Sequence, residues 1–274
     1  MKEFAIYQVD VFTKDFFKGN PAAVCVLDKE IDEETMKDIA AEMNLSETAF
    51  LLPLDKVNNI YSLRWFTPEV EVDLCGHGTI GTAKVLYEIM GIESDSITFK
   101  TKSGDLIAKK YDDGIGIDMP LDNYEDFIPN SEMLGALGIK QFKTAKIGRV
   151  TRKAIIQVEN EAIIRNLKPN FEVLRNTKSD VVVKGVGITT INCEGYDFLT
   201  RYFNPWAGIN EDPVTGTVHT VLARYWGEIL QKKEMIAYQA SKRGGELILK
   251  ILDDDRLEIV GDAVITLKGQ ICTK

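Results

Sequence analysis

The sequence predicts an α+β protein built of two similar halves, each a mostly antiparallel sheet rolled around a central helix. Three observations carry this. A glycine-punctuated segment occurs twice, about half the chain length apart: Asp73-Leu74-Cys75-Gly76-His77-Gly78-Thr79 and Glu211-Asp212-Pro213-Val214-Thr215-Gly216-Thr217. Each copy follows aromatic, strand-like residues and runs into a strongly periodic apolar helix. The remaining apolar runs are short and separated by hairpin-turn residues, not by the regular strand–helix alternation of a doubly wound sheet.

In chain order, Phe4 to Phe12 reads as a strand, broken by Gly19-Asn20-Pro21, and Ala22 to Leu27 as a second. Asp32 is placed to cap a helix whose Met36, Ile39, Ala40 and Met43 recur at helical spacing, ending near Asn44. Thr48 to Leu52 and Ser62 to Thr67 read as strands. After the first glycine loop, Ile80, Ala83, Leu86, Tyr87 and Met90 form one helical stripe that Gly91 can close. Ile97 to Lys102, Asp105 to Tyr111 and Ile115 to Met119 are strands joined by Ser103-Gly104 and Asp112-Asp113-Gly114 turns.

The polar, proline-bearing stretch Pro120 to Asn130 marks the boundary, giving domains 1–122 and 123–274. Ser131 is expected to cap a short helix through Leu137. Strands are expected at Ala154 to Val158, Ala162 to Leu167, Val181 to Val183, Ile188 to Ile191 and Phe198 to Phe203. Val218, Val221, Leu222, Tyr225, Trp226 and Ile229 then give the cleanest helical period in the chain. Glu246 to Leu252, Leu257 to Val260 and Ala263 to Leu267 close the sequence as strands, with Asp253-Asp254-Asp255 as a solvated turn.

The chain has 274 residues and a formal net charge of −9, with no long basic run. That argues against nucleic acid or an anionic membrane as a partner. The N-terminus lacks a signal-peptide pattern and no apolar run has membrane-spanning length, so the expected location is the cytoplasm. Cys25, Cys75, Cys193 and Cys272 form no CxxC pair and read as free thiols. With only His77 and His219, no histidine-rich metal site is expected, and carboxylate-only magnesium binding stays open.

Several residues have the chemistry for a site. A helix N-terminus preceded by glycine offers free N–H groups to an anion, so two such loops could grip one small carboxylate between domains. Glu47 is the only charge between an apolar helix and an apolar strand, where partial desolvation suits a carboxylate to move protons; the structural alternative is an ion pair with Arg64. Cys75 sits at a helix N-terminus, which lowers a thiol pKa and would make it a base or nucleophile; otherwise it is a small buried filler. His77 is a candidate acid or carboxylate ligand, and the glycines on both sides favour close ligand approach. Asp212 either caps the following helix or orients a substrate group. Gly76, Gly78 and Gly216 offer backbone approach, and Thr217 a hydroxyl and an N–H. His219 reads as structural, and Arg64 and Arg201 as weak candidates for carboxylate clamps.

Five segments together resemble the PhzF-like family of isomerases known from phenazine biosynthesis. They are Gly19-Asn20-Pro21-Ala22-Ala23-Val24, Asn44-Leu45-Ser46-Glu47-Thr48-Ala49-Phe50, Arg64-Trp65-Phe66-Thr67-Pro68, Glu71-Val72-Asp73-Leu74-Cys75-Gly76-His77 and Glu211-Asp212-Pro213-Val214-Thr215-Gly216. They stand in the family's order and span most of the chain. The resemblance implies the diaminopimelate-epimerase-like fold, a homodimer, and proton transfer within a small carboxylate-bearing metabolite without metal or organic cofactor. The namesake isomerises trans-2,3-dihydro-3-hydroxyanthranilate. Its glutamate proton shuttle matches Glu47, and its supporting histidine and aspartate match His77 and Asp212. Gly76, Gly78, Gly216, Thr217, Asn20 and Cys75 become the expected substrate contacts. Thr217 stands where the family usually has serine.

Two other readings stay in view. The first loop also resembles that of proline racemases and diaminopimelate epimerases, which use one cysteine from each half. Thr215 occupies roughly the second cysteine's place, so a two-thiol racemase cannot be assembled, but a single-cysteine dehydratase or epimerase using Cys75 can. The other reading is a non-catalytic small-molecule binding protein, which the presence of Glu47, His77 and Asp212 disfavours.

Overall fold

The structure is a computed structural model that describes residues 2–191, 193–253 and 255–273. It divides into two compact units, one of residues 1–118 and 259–274, the other of 119–258.

The first unit holds β1 (Lys2–Val11), β2 (Asn20–Val26), α1 (Glu33–Met43), β3 (Thr48–Asp55), β4 (Ile60–Phe66), β5 (Glu71–Val72), α2 (Gly76–Glu88), β6 (Ser96–Thr101), β7 (Gly104–Tyr111) and most of β8 (Gly114–Pro120). β1 pairs antiparallel with β2, β3 with β4, β4 with β5, β6 with β7 and β7 with β8. Two pairs are parallel, β2 with β3 and β4 with β6. Parallel neighbours need a crossover, and α1 and α2 supply the two. Asp32 caps α1 by accepting from the Thr35 N–H at 2.8 Å, and Asn44 ends it in the left-handed region, both as expected from the sequence.

α2 is buried on nearly every side and packs on β1, β2, β3 and β7. A helix without a polar face belongs inside. Small residues let it approach the strands: a Cβ at Gly81 would meet Val11 at 3.3 Å. Its threonines satisfy themselves along the helix, Thr79 Oγ1 donating to the Cys75 carbonyl and Thr82 Oγ1 to that of Gly78, each at 2.7 Å.

The second unit holds β9 (Tyr124–Asp126), α3 (Ser131–Leu137), β10 (Thr144–Gly148), β11 (Ala154–Gln157), α4 (Glu161–Asn166), α5 (Phe171–Asn176), β12 (Val186–Thr190), β13 (Phe198–Asn204), β14 (Ile209–Asp212), α6 (Gly216–Leu230), β15 (Glu234–Gln239) and β16 (Gly245–Asp253). Its order of pairings repeats that of the first: β10–β11 antiparallel, β11–β12 parallel, β12–β13 antiparallel, the short β13–β14 pair, β13–β15 parallel and β15–β16 antiparallel. α6 is the counterpart of α2, with Val218, His219, Val221, Leu222, Tyr225 and Trp226 buried.

Near the C-terminus run β17 (Arg256–Gly261) and β18 (Ala263–Thr273). The division expected at 122/123 assigned all of this to the second domain. Instead β18 pairs with β1 from Lys2↔Thr273 to Val11↔Ala263, and that ladder places residues 259–274 in the first unit.

Three local expectations are corrected. Ala162 to Leu167 is not a strand: Ala162 to Asn166 lie in α4 and Leu167 is its C-cap, Asn160 caps the helix by accepting from the Ile163 N–H, and Glu161 pairs with Arg165 one turn on. A four- to six-residue apolar run cannot tell strand from helix by itself. Val181 to Val183 forms no strand. Asn130, not Ser131, caps α3, accepting from the Met133 N–H at 2.8 Å. Of the Asp253-Asp254-Asp255 turn, Asp254 lies outside the described residues. No helix among the described residues is long and apolar enough to cross a membrane.

Candidate active site

In the first unit, three chemically different side chains converge at the N-terminus of α2. Glu47 leads into β3 immediately after α1. The pairing of β2 with β3, with the Ala23 N–H donating to the Glu47 carbonyl at 3.1 Å, fixes its backbone. Its Oε2 lies 3.1 Å from His77 Nε2. The other ring nitrogen of His77, Nδ1, is 3.7 Å from Cys75 Sγ. Ser46 Oγ stands 3.4 Å from His77 Nε2 and 3.4 Å from both Asn20 Oδ1 and the Pro21 carbonyl, tying Asn20 to the cluster. Glu47 therefore pairs with His77 and not with Arg64.

The electrostatics follow from burial. Cys75 and His77 are buried, and the Glu47 side chain is 16% exposed. Cys75 is the N-cap of α2 and its sulfur accepts the Gly78 N–H at 3.3 Å. That contact and the helix terminus favour a thiolate, but desolvation outweighs them and pushes the Cys75 pKa up. The expectation of a lowered thiol pKa is thus reversed, because Cys75 sits inside the protein and not at its surface. For His77, burial by itself disfavours the imidazolium. The Cys75 sulfur and the Glu47 carboxylate overcome it and hold His77 well above its ordinary value. The result is a carboxylate, an imidazole and a thiol in one partly buried cluster, groups suited to accept and return one proton.

A Cβ at Gly78 would lie 2.9 Å from Trp65 Cδ1 and 3.0 Å from Cys75 Sγ, so the indole and the thiol require glycine there. Gly76 is buried at the first position of α2.

The second unit carries Asp212, Gly216 and Thr217. The Asp212 carboxylate accepts the Thr215 hydroxyl, so it does not cap α6. Thr215 is the N-cap but makes no side-chain cap bond. Gln239, fully buried on β15, takes that role from outside the loop: its Oε1 accepts the Thr215 N–H at 2.9 Å and its Nε2 donates to the Asp212 carbonyl at 2.8 Å. Nothing in the spacing of the sequence singles out Gln239. Thr217 is partly exposed in the first turn of α6, and its carbonyl accepts from Thr220 Oγ1. His219 is structural, its Nδ1 bonding to the Thr215 carbonyl at 2.7 Å and its ring stacked on Phe198.

Arg64 and Arg201 are not free carboxylate clamps. Arg64 grips Glu71 through Nε and Nη2 at 2.7 and 2.8 Å, and Arg201 grips Glu211 in the same two-point way at 2.7 and 2.9 Å. Each guanidinium also lies 5.1 Å over a ring, Phe66 or Phe203. Each pair anchors the residues that lead into one glycine loop. This shared brace was readable as Arg-aromatic-Phe followed by glutamate in both halves.

With this geometry in place, comparison with known proteins is decisive. The sequence profile of the phenazine biosynthesis-like proteins (PhzC-PhzF) matches residues 9–269. The chain belongs to the PhzF family. An uncharacterized isomerase of Halalkalibacterium halodurans is 45% identical over 270 residues, covering 97% of each chain. A phenazine biosynthesis-like domain-containing protein of Homo sapiens is 41% identical over 282 residues, covering 97% of this chain and 98% of the human one. The crystal structure of a PhzF-family protein from Enterococcus faecalis superposes with a TM-score of 0.91 at 37% identity, over 99% of this chain and all of that one. The resemblance of the five segments is thereby established as membership, and the α+β fold is that of PhzF proteins.

Proposed function

We propose that this PhzF-family protein is an isomerase that shifts a proton within a small carboxylate-bearing metabolite, with Glu47 as the general acid/base. The observation that carries the reading is the Glu47–His77 contact of 3.1 Å at the N-terminus of α2, in a chain of this family. Glu47 takes a proton from a carbon beside an unsaturated or electron-withdrawing group and returns it to another carbon. His77 Nε2, 3.1 Å from Oε2, holds the carboxylate in position for this transfer. Gly76 and the free N–H groups of the loop receive the substrate carboxylate. The same reading assigns Asn20 and Cys75 to the substrate contacts of the first unit. It assigns Asp212 to orientation, and Gly216 and Thr217 to binding. It includes the finer fold description, a sheet rolled around α2 and another around α6, and a homodimer.

A cysteine-centred reaction at Cys75 fits less well. It needs a thiolate, and burial holds this sulfur as a thiol.

The test is proton exchange by NMR in heavy water with dihydrohydroxyanthranilate, proline, its hydroxylated forms and diaminopimelate. Glu47→Gln is expected to lose about 10²- to 10⁴-fold in turnover, the usual worth of a positioned acid/base, while keeping ligand binding. Turnover recovered at saturating substrate would contradict the assignment. Exchange at an amino-acid α-carbon, abolished by Cys75→Ala, would move the protein to the cysteine class.

A further inference from the structure

The cluster at α2 has a property that proton transfer does not require. Glu47, Cys75 and His77 offer a carboxylate oxygen, a sulfur and an imidazole nitrogen all within 4.8 Å of one another. We propose that this trio is a binding site for a zinc-class divalent cation, and that the cation competes with turnover. The donor set decides the class. A sulfur and an imidazole nitrogen with one carboxylate suit zinc or cobalt, whereas magnesium and calcium take oxygen sets. Three protein ligands with a fourth position open is also the pattern of a zinc site accessible to water or a small molecule.

The distances support the same conclusion. With metal–sulfur bonds of about 2.3 Å and metal–nitrogen or –oxygen bonds of about 2.0–2.1 Å, the edges of a tetrahedron are about 3.3–3.6 Å. His77 Nε2 lies 3.1 Å from Glu47 Oε2 and 3.9 Å from Cys75 Sγ. One edge must open, and the other close, by a few tenths of an ångström, and because Sγ also lies 3.7 Å from Nδ1 the imidazole must turn to aim Nε2 at the shared cation. The remaining closure, between sulfur and carboxylate, falls on the Glu47 side chain. The backbone is already set, since Cys75 and His77 are two residues apart at the start of a buried helix and Glu47 is fixed by the β2–β3 ladder. Ser46 Oγ, 3.4 Å from His77 Nε2, stands beside the fourth position. Binding replaces the thiol proton and the proton on the ligating His77 nitrogen by the cation, and both protons leave to water.

The metal-binding part of this inference is independent of the isomerase reading; only the competition with turnover rests on it. The experiment is a titration of chelator-treated protein with Co²⁺, read by thiolate-to-cobalt charge-transfer absorption and by the visible bands of tetrahedral cobalt. One equivalent is expected to develop both features, and Zn²⁺ to displace them. Cys75→Ala should abolish the charge-transfer band, and His77→Asn should weaken binding at least tenfold. Cys272→Ser, which removes the exposed thiol, should leave the titration unchanged. Far-ultraviolet circular dichroism checks that each variant is folded. A titration without the charge-transfer band, or a band that survives Cys75→Ala, overturns the proposal. If the bands appear and Glu47→Gln keeps full turnover, the isomerase assignment fails and the metal site stands. If Glu47→Gln loses turnover and no bands appear, the reverse holds.

Discussion

His219 should make the protein acid-sensitive in a way that one substitution removes. It is fully buried in α6, its Nδ1 bonds to the Thr215 carbonyl, and its Nε2 has no hydrogen-bond partner among the described residues. Nδ1 therefore carries the proton and the ring is neutral. Desolvation, only partly offset by the Thr215 bond, pulls its pKa down to about 4. In the unfolded chain a histidine titrates near about 6.5. Between those values the unfolded state binds a proton that the native state does not, so stability contributed by the neutral ring is complete above about pH 6.5 and is lost as pH falls toward 4. At about 1.36 kcal/mol per unit, the loss at pH 4.5 is about 2–3 kcal/mol. Phe is the informative replacement, because it keeps the stacking on Phe198, centroids 5.9 Å apart, and cannot titrate. His219→Phe gives up a hydrogen bond worth about 1 kcal/mol, and also removes a buried orphan nitrogen. Urea unfolding at pH 7 and pH 4.5 provides the assay. Every other titrating group is common to both proteins, so the difference of differences isolates His219. Wild type is expected to lose about 2–3 kcal/mol more than the variant over this interval. Equal losses would show that His219 is not the buried neutral base described above.

Alkylation should sort the cysteines by environment. Iodoacetamide at pH 8, followed by mass spectrometry, is expected to label exposed Cys272 first. Cys193 is held at about 11 and Cys25 at about 12, and buried Cys75 is raised as well, so these three should react much more slowly. Fast labelling of Cys75 in the folded protein would contradict its description as a thiol. Gln239→Leu strands the Thr215 N–H and the Asp212 carbonyl, and should cost about 1–3 kcal/mol in urea unfolding. Gly78→Ala drives a methyl to 2.9 Å from Trp65 and should cost about 1–3 kcal/mol of overpacking, seen as a lower Tm. A neutral effect would mean that the indole moves freely.

The elements legible in the sequence are those whose signal is local and long enough. α1 announced itself through Asp32, an apolar stripe and Asn44, and the structure places all three as cap, buried face and left-handed stop. α6 did so through its stripe of apolar residues alone. α4 was misread because Ala162-Ile163-Ile164 fits either period, and the capping Asn160 decides it. The C-terminal strand was assigned to the wrong unit because pairing between β18 and β1 is a contact across the whole chain, with no trace in either segment. At the site, the residue types at 47, 75 and 77 were visible. Their proton states were not. A helix N-terminus argues for a Cys75 thiolate, and only the burial of the folded site reverses the sign. Gln239 was invisible for the same reason, since a glutamine in a strand acquires meaning only from what lies opposite it.

The duplicated scaffold explains what the two glycine loops share and why they differ in chemistry. Both are braced by a two-point Arg–Glu pair stacked on a phenylalanine, and both open a buried helix. At the N-cap they diverge. In the first loop Cys75 caps its own helix by accepting the Gly78 N–H, and its sulfur also meets the ring of His77 two residues on. In the second the equivalent residue, Thr215, commits its hydroxyl to Asp212, and the loop is closed by Gln239 from another strand. A hydroxyl bonded in this way has neither the acidity nor the freedom of a thiol, so a symmetric two-base reaction has no second base at this position. The carboxylate and imidazole that the proposed proton transfer uses, Glu47 and His77, stand together at the first loop, 3.1 Å apart, and the second loop has no counterpart of that contact among the described residues.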